Sequence, residues 1–439
     1  MKICFLGIGG VSMAKLAAYL KSIGFYVFGQ DKFESEATLE LKKIGVSVFI
    51  GENFIGVKSA DIVVYSSAVS ENSYELSVCE KLKIPVLKRA ELLGKVLKKF
   101  DNSIGVAGSH GKTTVTKMIK TVFDAANVNC FEHIGAFEGA FQPQFTKTPK
   151  YAVSEVCEYK KNIAYINVKT AVLLNVDNDH LDCYGTIDKL KEEFFAYLNR
   201  SKIKIINIDD KNSIDYLRSV CGKETYTYGV SEKADYRAEN LAESGGAYSF
   251  AVLKRGEVFL KIKLRVLGLH NVYNALAAVA ALDLNGIDGL KIKEGVENYS
   301  GATRRFEALG EFNGVRIIAD YAHHPSEIKA VLKTMKEVYG DDYVVVFQPH
   351  TYSRTKILFD DFCGVLESEK LAVYKTYPAR ESYDVSGDGV RLSKALNAEY
   401  ITSIDKVFDF ISSSNKKAAI IMGAGDLYYG VKTPLNKNS

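Results

Sequence analysis

The chain has 439 residues, 47% hydrophobic and 25% charged, a balance typical of a soluble globular protein with roughly two to four domains. Lys and Arg number 57 against 53 Asp and Glu, and no block of like charge stands out, so the composition does not indicate nucleic-acid binding. The seven cysteines are scattered and form no C-x-x-C pair, which favours a reducing, cytoplasmic location without a zinc site. No apolar run approaches the roughly eighteen residues of a membrane span.

The N-terminus has the pattern of a strand–helix–strand unit. An apolar strand, Lys2–Leu6, leads into the glycine turn Gly7–Gly10 and a helix predicted over Val11–Ile23, and the second strand ends at Asp31. The dinucleotide fingerprint G-x-G-x-x-G fails at its third glycine, where Ser12 stands. Two interpretations stay open. The helix N-terminus holds a diphosphate with Asp31 near a ribose, or the turn binds nothing.

The next elements continue the alternation of strands and helices. Strands are predicted at Val46–Ile50 and Asp61–Tyr65, the second followed by Ser66, and a helix at Ala90–Lys99. The polar run at 101–103 is the first candidate domain boundary.

The stretch Ile104–Thr114, I-G-V-A-G-S-H-G-K-T-T, has the order strand, glycine loop, helix N-terminus. A loop of this kind can hold a polyphosphate with its backbone N–H groups. In this motif Lys112 reaches the terminal phosphates and the Thr113 hydroxyl ligates Mg²⁺. The loop is a variant, because Val106 occupies the position where the strict pattern has glycine. The alternative is a tight turn with a surface lysine.

Acidic residues follow the next two predicted strands. Tyr151–Glu155 ends at an acid, and Thr170–Leu174 runs into a segment that contains His180. An acid at a strand end beside a phosphate loop faces the metal, so Glu155 is a candidate Mg²⁺ ligand, and His180 with Asp179 is a candidate for a second metal ligand. The alternatives are a surface carboxylate and a helix-capping or core histidine.

The middle of the chain ends in a strongly helical run. A helix over Asp188–Asn199, a strand over Ile203–Ile208 and a hairpin over Phe250–Val266 precede it. Asn271 and Asn274 lie on one face at the start of that helical run, where asparagine is either a ligand contact or only a cap. The residues around 298–301 are the second candidate boundary.

The last part of the chain repeats the strand–helix order, with polar residues where strands end. Strands are predicted at Val315–Asp320, Val344–Gln348 and Ala418–Met422, and a helix at Ser326–Met335 whose first turn follows Pro325. A doubly wound sheet binds its ligands at these strand ends. Six of the seven histidines lie in such motifs: His110, His180, His270, His323, His324 and His350. This clustering favours a functional site over scattered structural histidines.

Together these motifs closely resemble the Mur ligases, ATP-dependent enzymes that form peptide bonds in cell-wall synthesis. The segments that carry the resemblance run through nearly the whole chain in order: G-I-G-G-V-S-M, G-S-H-G-K-T-T, S-E-V-C-E-Y, N-x-D-x-D-H-L-D, H-N-V-Y-N-A-L-A-A, R-R-F-E, D-Y-A-H-H-P, F-Q-P-H-T-Y-S-R-T and G-A-G-D. The segment F-Q-P-H-T-Y-S-R-T favours the branch that adds alanine.

The resemblance implies an α/β protein of three domains. Residues 1–100 would form a Rossmann-like domain that binds a UDP-sugar. Residues 101–299 would form a central P-loop ATPase-type domain with a mostly parallel sheet, and residues 300–439 a Rossmann-like α/β domain that binds the amino acid. The implied cofactors are ATP and Mg²⁺, and the implied substrates are UDP-N-acetylmuramate and L-alanine. No nucleic-acid partner and no membrane insertion are expected, and the chain is expected to be a monomer or weak homo-oligomer.

The resemblance also implies a role for each matching residue. Those expected to bind the ATP phosphates are Gly108, Ser109, His110, Gly111, Lys112, Thr113 and Thr114. Thr113 and Glu155 would hold one Mg²⁺ and His180 a second, while Asn271, Asn274, Arg305 and Asp320 would complete the nucleotide site. The UDP-sugar contacts would be Gly7, Gly9, Gly10, Asp31 and Ser66. Tyr321, His323, His350 and Arg354 would surround the alanine, with Arg354 on its carboxylate.

The implied reaction is acyl transfer through an acyl phosphate. The substrate carboxylate attacks the γ-phosphate of ATP, and the alanine amine then displaces phosphate. Lys112, Arg305 and Asp320 would assist, and either His180 or His323 would take the proton from the amine. A ligase of the same family that recycles murein tripeptide, and a nucleotide-binding sensor without catalysis, remain the alternatives.

Overall fold

The structure is a computed structural model that describes residues 1–135, 149–177, 181–219, 224–379 and 381–437. The chain forms two compact units. The first unit contains residues 1–239, 251–262 and 273–298, and the second contains residues 240–250, 263–272 and 299–439.

The described strands alternate with helices through most of the chain. The strands are β1 (Lys2–Leu6), β2 (Tyr26–Asp31), β3 (Ser47–Ile50), β4 (Ile62–Tyr65), β5 (Val86–Lys88), β6 (Asn102–Ala107), β7 (Cys130–His133), β8 (Tyr151–Glu155), β9 (Thr170–Leu173), β10 (Ile203–Asn207), β11 (Thr225–Gly229), β12 (Tyr236–Ser244), β13 (Ala247–Lys254), β14 (Glu257–Leu267), β15 (Glu307–Phe312), β16 (Val315–Asp320), β17 (Tyr343–Phe347), β18 (Leu371–Tyr374), β19 (Glu399–Ile401) and β20 (Ala418–Met422).

The helices are α1 (Val11–Ser22), α2 (Glu36–Lys43), α3 (Tyr74–Leu82), α4 (Arg89–Leu97), α5 (Lys112–Ala125), α6 (Leu181–Tyr184), α7 (Ile187–Asn199), α8 (Asp215–Ser219), α9 (His270–Asp283), α10 (Gly289–Asn298), α11 (Pro325–Tyr339), α12 (Tyr352–Ile357), α13 (Phe359–Leu366), α14 (Gly389–Ala395), α15 (Ile404–Ser413) and α16 (Leu427–Lys437). Short 3₁₀ helices occupy Ile55–Ser59, Tyr159–Tyr165 and Val385–Gly387.

Three sheets organise these strands. The first is parallel with the order β3-β2-β1-β4-β5, a doubly wound arrangement that starts from the central strand β1. The second has nine strands in the order β14-β13-β12-β11-β10-β9-β6-β8-β7, and the pairs from β12 to β7 are parallel. The third has the order β15-β16-β20-β17-β18-β19, in which only the β15–β16 pair is antiparallel.

Within the first unit, the first sheet and the central sheet share one hydrophobic core. It extends from Ile3 on β1 to Tyr216 on α8. Tyr19 on α1 joins the two sheets, because its ring lies 4.4 Å from the ring of Phe131 on β7. Gly94 lets α4 approach the segment after Glu158 closely, since a Cβ at this position would lie 2.1 Å from the carbonyl oxygen of Tyr165.

In the second unit, apolar side chains pack on both faces of the six-stranded sheet. One face is covered by residues of α15 and α16, and the other by residues of α11 and α13. Helix α11 begins as its sequence predicts, with Pro325 in the first turn. The Glu327 carboxylate accepts the backbone N–H of His324, the N-cap residue, and so satisfies a donor at the helix start.

The structure confirms an α/β fold of mostly parallel sheets. Most predicted strands and helices are present within a residue or two of their predicted ends, but α11 extends to Tyr339, four residues beyond the predicted Met335. Among the described residues, no helix is long and apolar enough to cross a membrane.

Candidate functional site

In the first unit, the loop between β6 and α5 is held by the segment that follows β9. The backbone N–H of Ser109 donates to the carbonyl oxygen of Asn175 at 3.1 Å, and that of His110 donates to the Asn175 side-chain oxygen at 2.8 Å. The Ser109 hydroxyl in turn accepts the N–H of Asp177 at 2.9 Å, and the His110 ring lies 3.2 Å from the Asp177 carboxylate. The loop is therefore pre-shaped by its neighbour on the sheet, as a rigid anion site requires.

Lys112 begins α5 and turns back over the loop. Its ammonium donates to the carbonyl oxygens of Gly108 and Ser109 and lies 3.1 Å from the Glu158 carboxylate. Glu158 is only 1% exposed, so this ion pair is shielded from water. The pair holds a cation at the mouth of the loop, where an incoming polyphosphate would compete with the carboxylate for it.

Gly111 closes the loop against α9. Its φ of +85° is in the left-handed region that favours glycine, and a Cβ at this position would lie 2.7 Å from the side-chain oxygen of Asn274. The Asn274 side chain therefore lies beside the glycine loop, and its predicted contact with the nucleotide stays a prediction. Thr113 and Thr114 follow in the first turn of α5, Thr113 half-buried and Thr114 buried.

Glu155 is the last residue of β8 and pairs in register with Val106 of β6, the strand that leads into the loop. One carboxylate oxygen, Oε2, accepts the backbone N–H of Gly135 at 2.7 Å. The other, Oε1, is buried and has no hydrogen-bond partner within the described part of the chain. A buried carboxylate oxygen without a donor is costly unless a cation binds it, so the position fits an oxygen ligand for Mg²⁺.

In the first sheet, Asp31 at the end of β2 organises the glycine turn. Its carboxylate accepts the N–H of Gly9 at 2.8 Å, while the N–H groups of Gly7 and Ile8 donate to the carbonyl oxygen of Gln30. Gly10 precedes α1 as its N-cap residue, and Ser66 lies beside Gly7, where an added Cβ would come within 3.2 Å of the serine Cβ. The five predicted UDP-sugar residues thus form one cluster.

In the second unit, Asp320 lies buried at the end of β16. Its two carboxylate oxygens accept the N–H groups of Phe306 and Ala322, each at 2.8 Å. Burial raises the pKa of Asp320 from 3.8 to about 6, although Arg305 and the two N–H groups oppose the shift. Arg305 also lies 3.8 Å from Glu327, which places it beside the start of α11.

The His323 ring has a defined orientation. Its Nδ1 lies 2.9 Å from the carbonyl oxygen of Tyr321 and 3.2 Å from the Glu327 carboxylate. Because both neighbours are acceptors, Nδ1 carries the hydrogen of the neutral ring and the lone pair lies on Nε2. Nε2 is therefore the atom that can take up a proton.

His350 and Arg354 lie next to His323. The rings of His323 and His350 are 5.5 Å apart, and the Arg354 guanidinium is 3.5 Å from His350 Nδ1. Burial and the Arg354 charge lower the pKa of His350 to about 4, so this ring stays neutral at neutral pH. Thr351 between them has a φ of +69°, an unusual conformation for a β-branched residue that marks this loop as strained.

Asn271 sits in the second unit and takes part in local backbone contacts. Its side-chain amide donates to the carbonyl oxygen of Leu267 at 2.7 Å and contacts the His270 ring at 3.2 Å. Burial and the Arg305 charge lower the pKa of His270 to about 4. The Asn271 amide thus donates to the backbone just before α9, whereas the Asn274 side chain lies beside the glycine loop.

His180 lies outside the described residues. The seventh histidine, His133, which the sequence separates from the strand-end motifs, also ends a strand, because β7 stops at that residue. That strand has the mixed-polarity sequence Cys-Phe-Glu-His and was not predicted.

No role was predicted for Glu158, Asn175 or Asp177, although all three contact the loop. The motifs S-E-V-C-E-Y and N-V-D-N, which contain them, were the available signal.

Three family models match the chain in succession. The model described as "Mur ligase family, catalytic domain" matches residues 2–101, "Mur ligase middle domain" matches 106–282, and "Mur ligase, glutamate ligase domain" matches 304–425.

Similar proteins match over nearly their whole length. The UDP-N-acetylmuramate–L-alanine ligase of Caldicellulosiruptor bescii is 37% identical over 97% of this chain and 96% of its own. That of Lachnospira eligens is also 37% identical, over 97% of this chain and 95% of its own. The crystal structure of UDP-N-acetylmuramate-alanine ligase from Thermotoga maritima superimposes with a TM-score of 0.79 at 26% identity, and covers 100% of this chain and 99% of that one.

Proposed function

Since this chain belongs to the Mur ligase family, we propose that it joins L-alanine to the lactyl carboxylate of UDP-N-acetylmuramate at the expense of ATP, a step in peptidoglycan precursor synthesis. Relatives that bear the name of this activity match over nearly the full length of both chains. Three domains, over 1–100, 101–299 and 300–439, would bind the UDP-sugar, the ATP and the amino acid. The enzyme would act in the cytoplasm as a monomer or weak homo-oligomer.

The structural observation that carries the proposal is the buried Oε1 of Glu155, which lacks a hydrogen-bond partner among the described residues. It lies at the end of β8, beside the strand that leads into the loop of Lys112. Glu155 and Thr113 would hold Mg²⁺, and His180 would help to hold a second ion. The metal would neutralise negative charge on the phosphate oxygens.

The loop from Gly108 to Thr114 would bind the ATP phosphates. Lys112, which the Glu158 carboxylate holds at the loop, would move its ammonium onto the terminal phosphates and stabilise the charge that develops there. Asn274 contacts the loop and would contact the nucleotide. Further nucleotide contacts are expected from Asn271, Arg305 and Asp320.

The glycine turn would bind the sugar nucleotide. The N-terminus of α1 presents N–H groups and a positive dipole end to the diphosphate. Asp31, which accepts the Gly9 N–H, and Ser66 would border the same site. Here the missing third glycine is acceptable, because the ligand is a UDP-sugar rather than a dinucleotide.

The amino-acid end of the reaction would use Tyr321, His323, His350 and Arg354. The Arg354 guanidinium would pair with the alanine carboxylate. His323 is better suited than His350 to take the amine proton, because its Nε2 carries the lone pair, whereas burial lowers the pKa of His350 to about 4. The amine then attacks the acyl phosphate and phosphate leaves.

The decisive experiment measures phosphate release from ATP with Mg²⁺, UDP-N-acetylmuramate and L-alanine, with each component omitted in turn. Release that needs all four, together with the mass of the alanyl product, supports the proposal. Release with a murein tripeptide but not with alanine would assign the chain to the recycling ligases instead. ATP binding without release with either acceptor would indicate a nucleotide sensor and contradict the proposal.

A further inference from the structure

A chain of hydrogen bonds runs through the shared core of the first unit and joins the glycine-turn helix to β8. An Arg89 guanidinium nitrogen donates to the Ser12 hydroxyl at 3.0 Å, and that hydroxyl lies 2.7 Å from Nε2 of His133. Nδ1 of His133 lies 3.1 Å from the Ser154 hydroxyl, which donates to the carbonyl oxygen of Glu155 at 2.8 Å.

The direction of these hydrogen bonds follows from the Ser154 end. Arginine can only donate, so the Ser12 oxygen accepts from Arg89, while its second lone pair and its hydrogen both remain available to Nε2 of His133. A carbonyl oxygen can only accept, so Ser154 gives its hydrogen to Glu155 and must accept from Nδ1 of His133. The Ser154 end therefore requires a hydrogen on Nδ1, and in the neutral ring Nε2 then accepts the hydrogen of Ser12.

The surroundings of His133 stabilise that neutral form. The ring is buried at the end of β7, and burial, together with the nearby charges of Arg89 and Lys15, lowers its pKa well below the usual value. Ser154 is fully buried, so the chain is shielded from competing water along this part.

The two ends of this hydrogen-bond chain lie next to the glycine turn and next to Glu155, the two sites that the proposed reaction must keep at a fixed spacing. Ser12 is in the first turn of α1, directly after the glycine turn. Ser154 precedes Glu155, whose buried Oε1 is the candidate metal ligand. The residues joined by these hydrogen bonds belong to four separate elements, α1, α4, β7 and β8. No contact between neighbours in the sequence could therefore replace the link.

We propose that His133 is a positioning residue for the sugar nucleotide. Through Ser12 and Ser154 it fixes the first turn of α1 relative to the end of β8, so that the diphosphate site and the metal carboxylate keep the spacing that the reaction needs. This inference rests on the proposed function, and it assigns the role to a histidine that takes no part in the chemistry.

The test compares KM for UDP-N-acetylmuramate in His133→Leu, His133→Gln and Ser154→Ala. Leucine breaks both links, and KM is expected to rise roughly 5- to 30-fold, with KM for ATP within about twofold of wild type. Glutamine offers an oxygen to Ser12 and an amide hydrogen to Ser154, so it is expected to recover most of the loss. Ser154→Ala breaks the link far from the glycine turn and is expected to raise KM as well, by a smaller factor.

Ser201→Ala is the matched control, because its buried hydroxyl donates to the Tyr197 carbonyl oxygen outside this chain of hydrogen bonds. It is expected to lower the melting temperature without changing KM. If His133→Leu and Ser154→Ala also lower only the melting temperature, the positioning role is refuted while the proposed function stands. If wild type does not use UDP-N-acetylmuramate, both proposals fail. Should the leucine variant not fold, the result with Ser154→Ala decides.

Discussion

Replacing Gly111 with alanine tests whether the loop is held in shape by its fit against α9. The residue has a φ of +85°, where a non-glycine residue costs about 1–2 kcal/mol. The new Cβ would also lie 2.7 Å from the Asn274 side-chain oxygen and 3.2 Å from Leu174 Cδ1. Forced overpacking of this kind costs about 1–3 kcal/mol. The expected loss of unfolding free energy is therefore about 2–5 kcal/mol.

The matched control is Gly286→Ala. Gly286 has a φ of +82° and nothing within 4 Å of the position of an added Cβ, so it carries the backbone strain without the clash. Urea unfolding is expected to show a loss of about 1–2 kcal/mol for this variant. The difference between the two substitutions then measures the steric fit against Asn274 and Leu174.

A titration with ATP completes the experiment. If the added methyl group displaces the loop rather than α9, Gly111→Ala lowers the affinity for ATP, whereas Gly286→Ala leaves that affinity unchanged. The double variant Gly111→Ala/Asn274→Ala is expected to recover part of the lost stability, because it removes the oxygen that the methyl group meets. Equal losses for Gly111→Ala and Gly286→Ala, with equal ATP affinities, would refute the account of the loop.

Three further predictions concern single groups. Glu155→Gln keeps an oxygen for the Gly135 N–H but removes the charge, so the Mg²⁺ concentration for half-maximal phosphate release should rise at least roughly tenfold; an unchanged requirement would exclude Glu155 as the ligand. Tyr197→Phe removes a buried hydroxyl that donates to Gly105 at 2.9 Å and should cost about 1–2 kcal/mol in thermal unfolding, and a neutral result would contradict that bond. Folding raises the pKa of Asp320 from 3.8 to about 6. As pH rises through this window, the unfolding free energy of wild type should therefore fall by about 3 kcal/mol relative to that of Asp320→Asn. A difference in unfolding free energy that does not depend on pH would disprove the shift.

The apolar strands are predictable because their patterns are local. The structure has four buried runs where the sequence predicts them: β8 and β16, which end in an acid, and β6 and β20, which lead directly into a glycine. β7 is not predictable in this way, because Glu132 and His133 interrupt its apolar pattern and its burial comes from tertiary packing.

In the candidate site, too, local sequence patterns identify some residues, whereas others come together only through tertiary packing. The loop, Asp31, Glu155 and Asp320 are identifiable because strand ends meet at one edge of a parallel sheet. The partner of Lys112 is not identifiable in this way, since Glu158 is 46 residues away and no periodicity connects the two. The Ser12–His133 contact spans 121 residues, and only the packed core brings these side chains together.

The shared core of the first two sheets has a consequence for the exchange of parts between relatives. Tyr19 on α1 packs against both Phe100 and Phe131, and Gly94 fits against the backbone of Tyr165. A chimaera that took residues 1–100 from another ligase would bring in half of a close-packed contact whose other half had evolved with a different partner. Residues 1–100 should therefore be exchangeable between relatives only together with the central sheet. Recombination within this family should keep the two segments from the same parent.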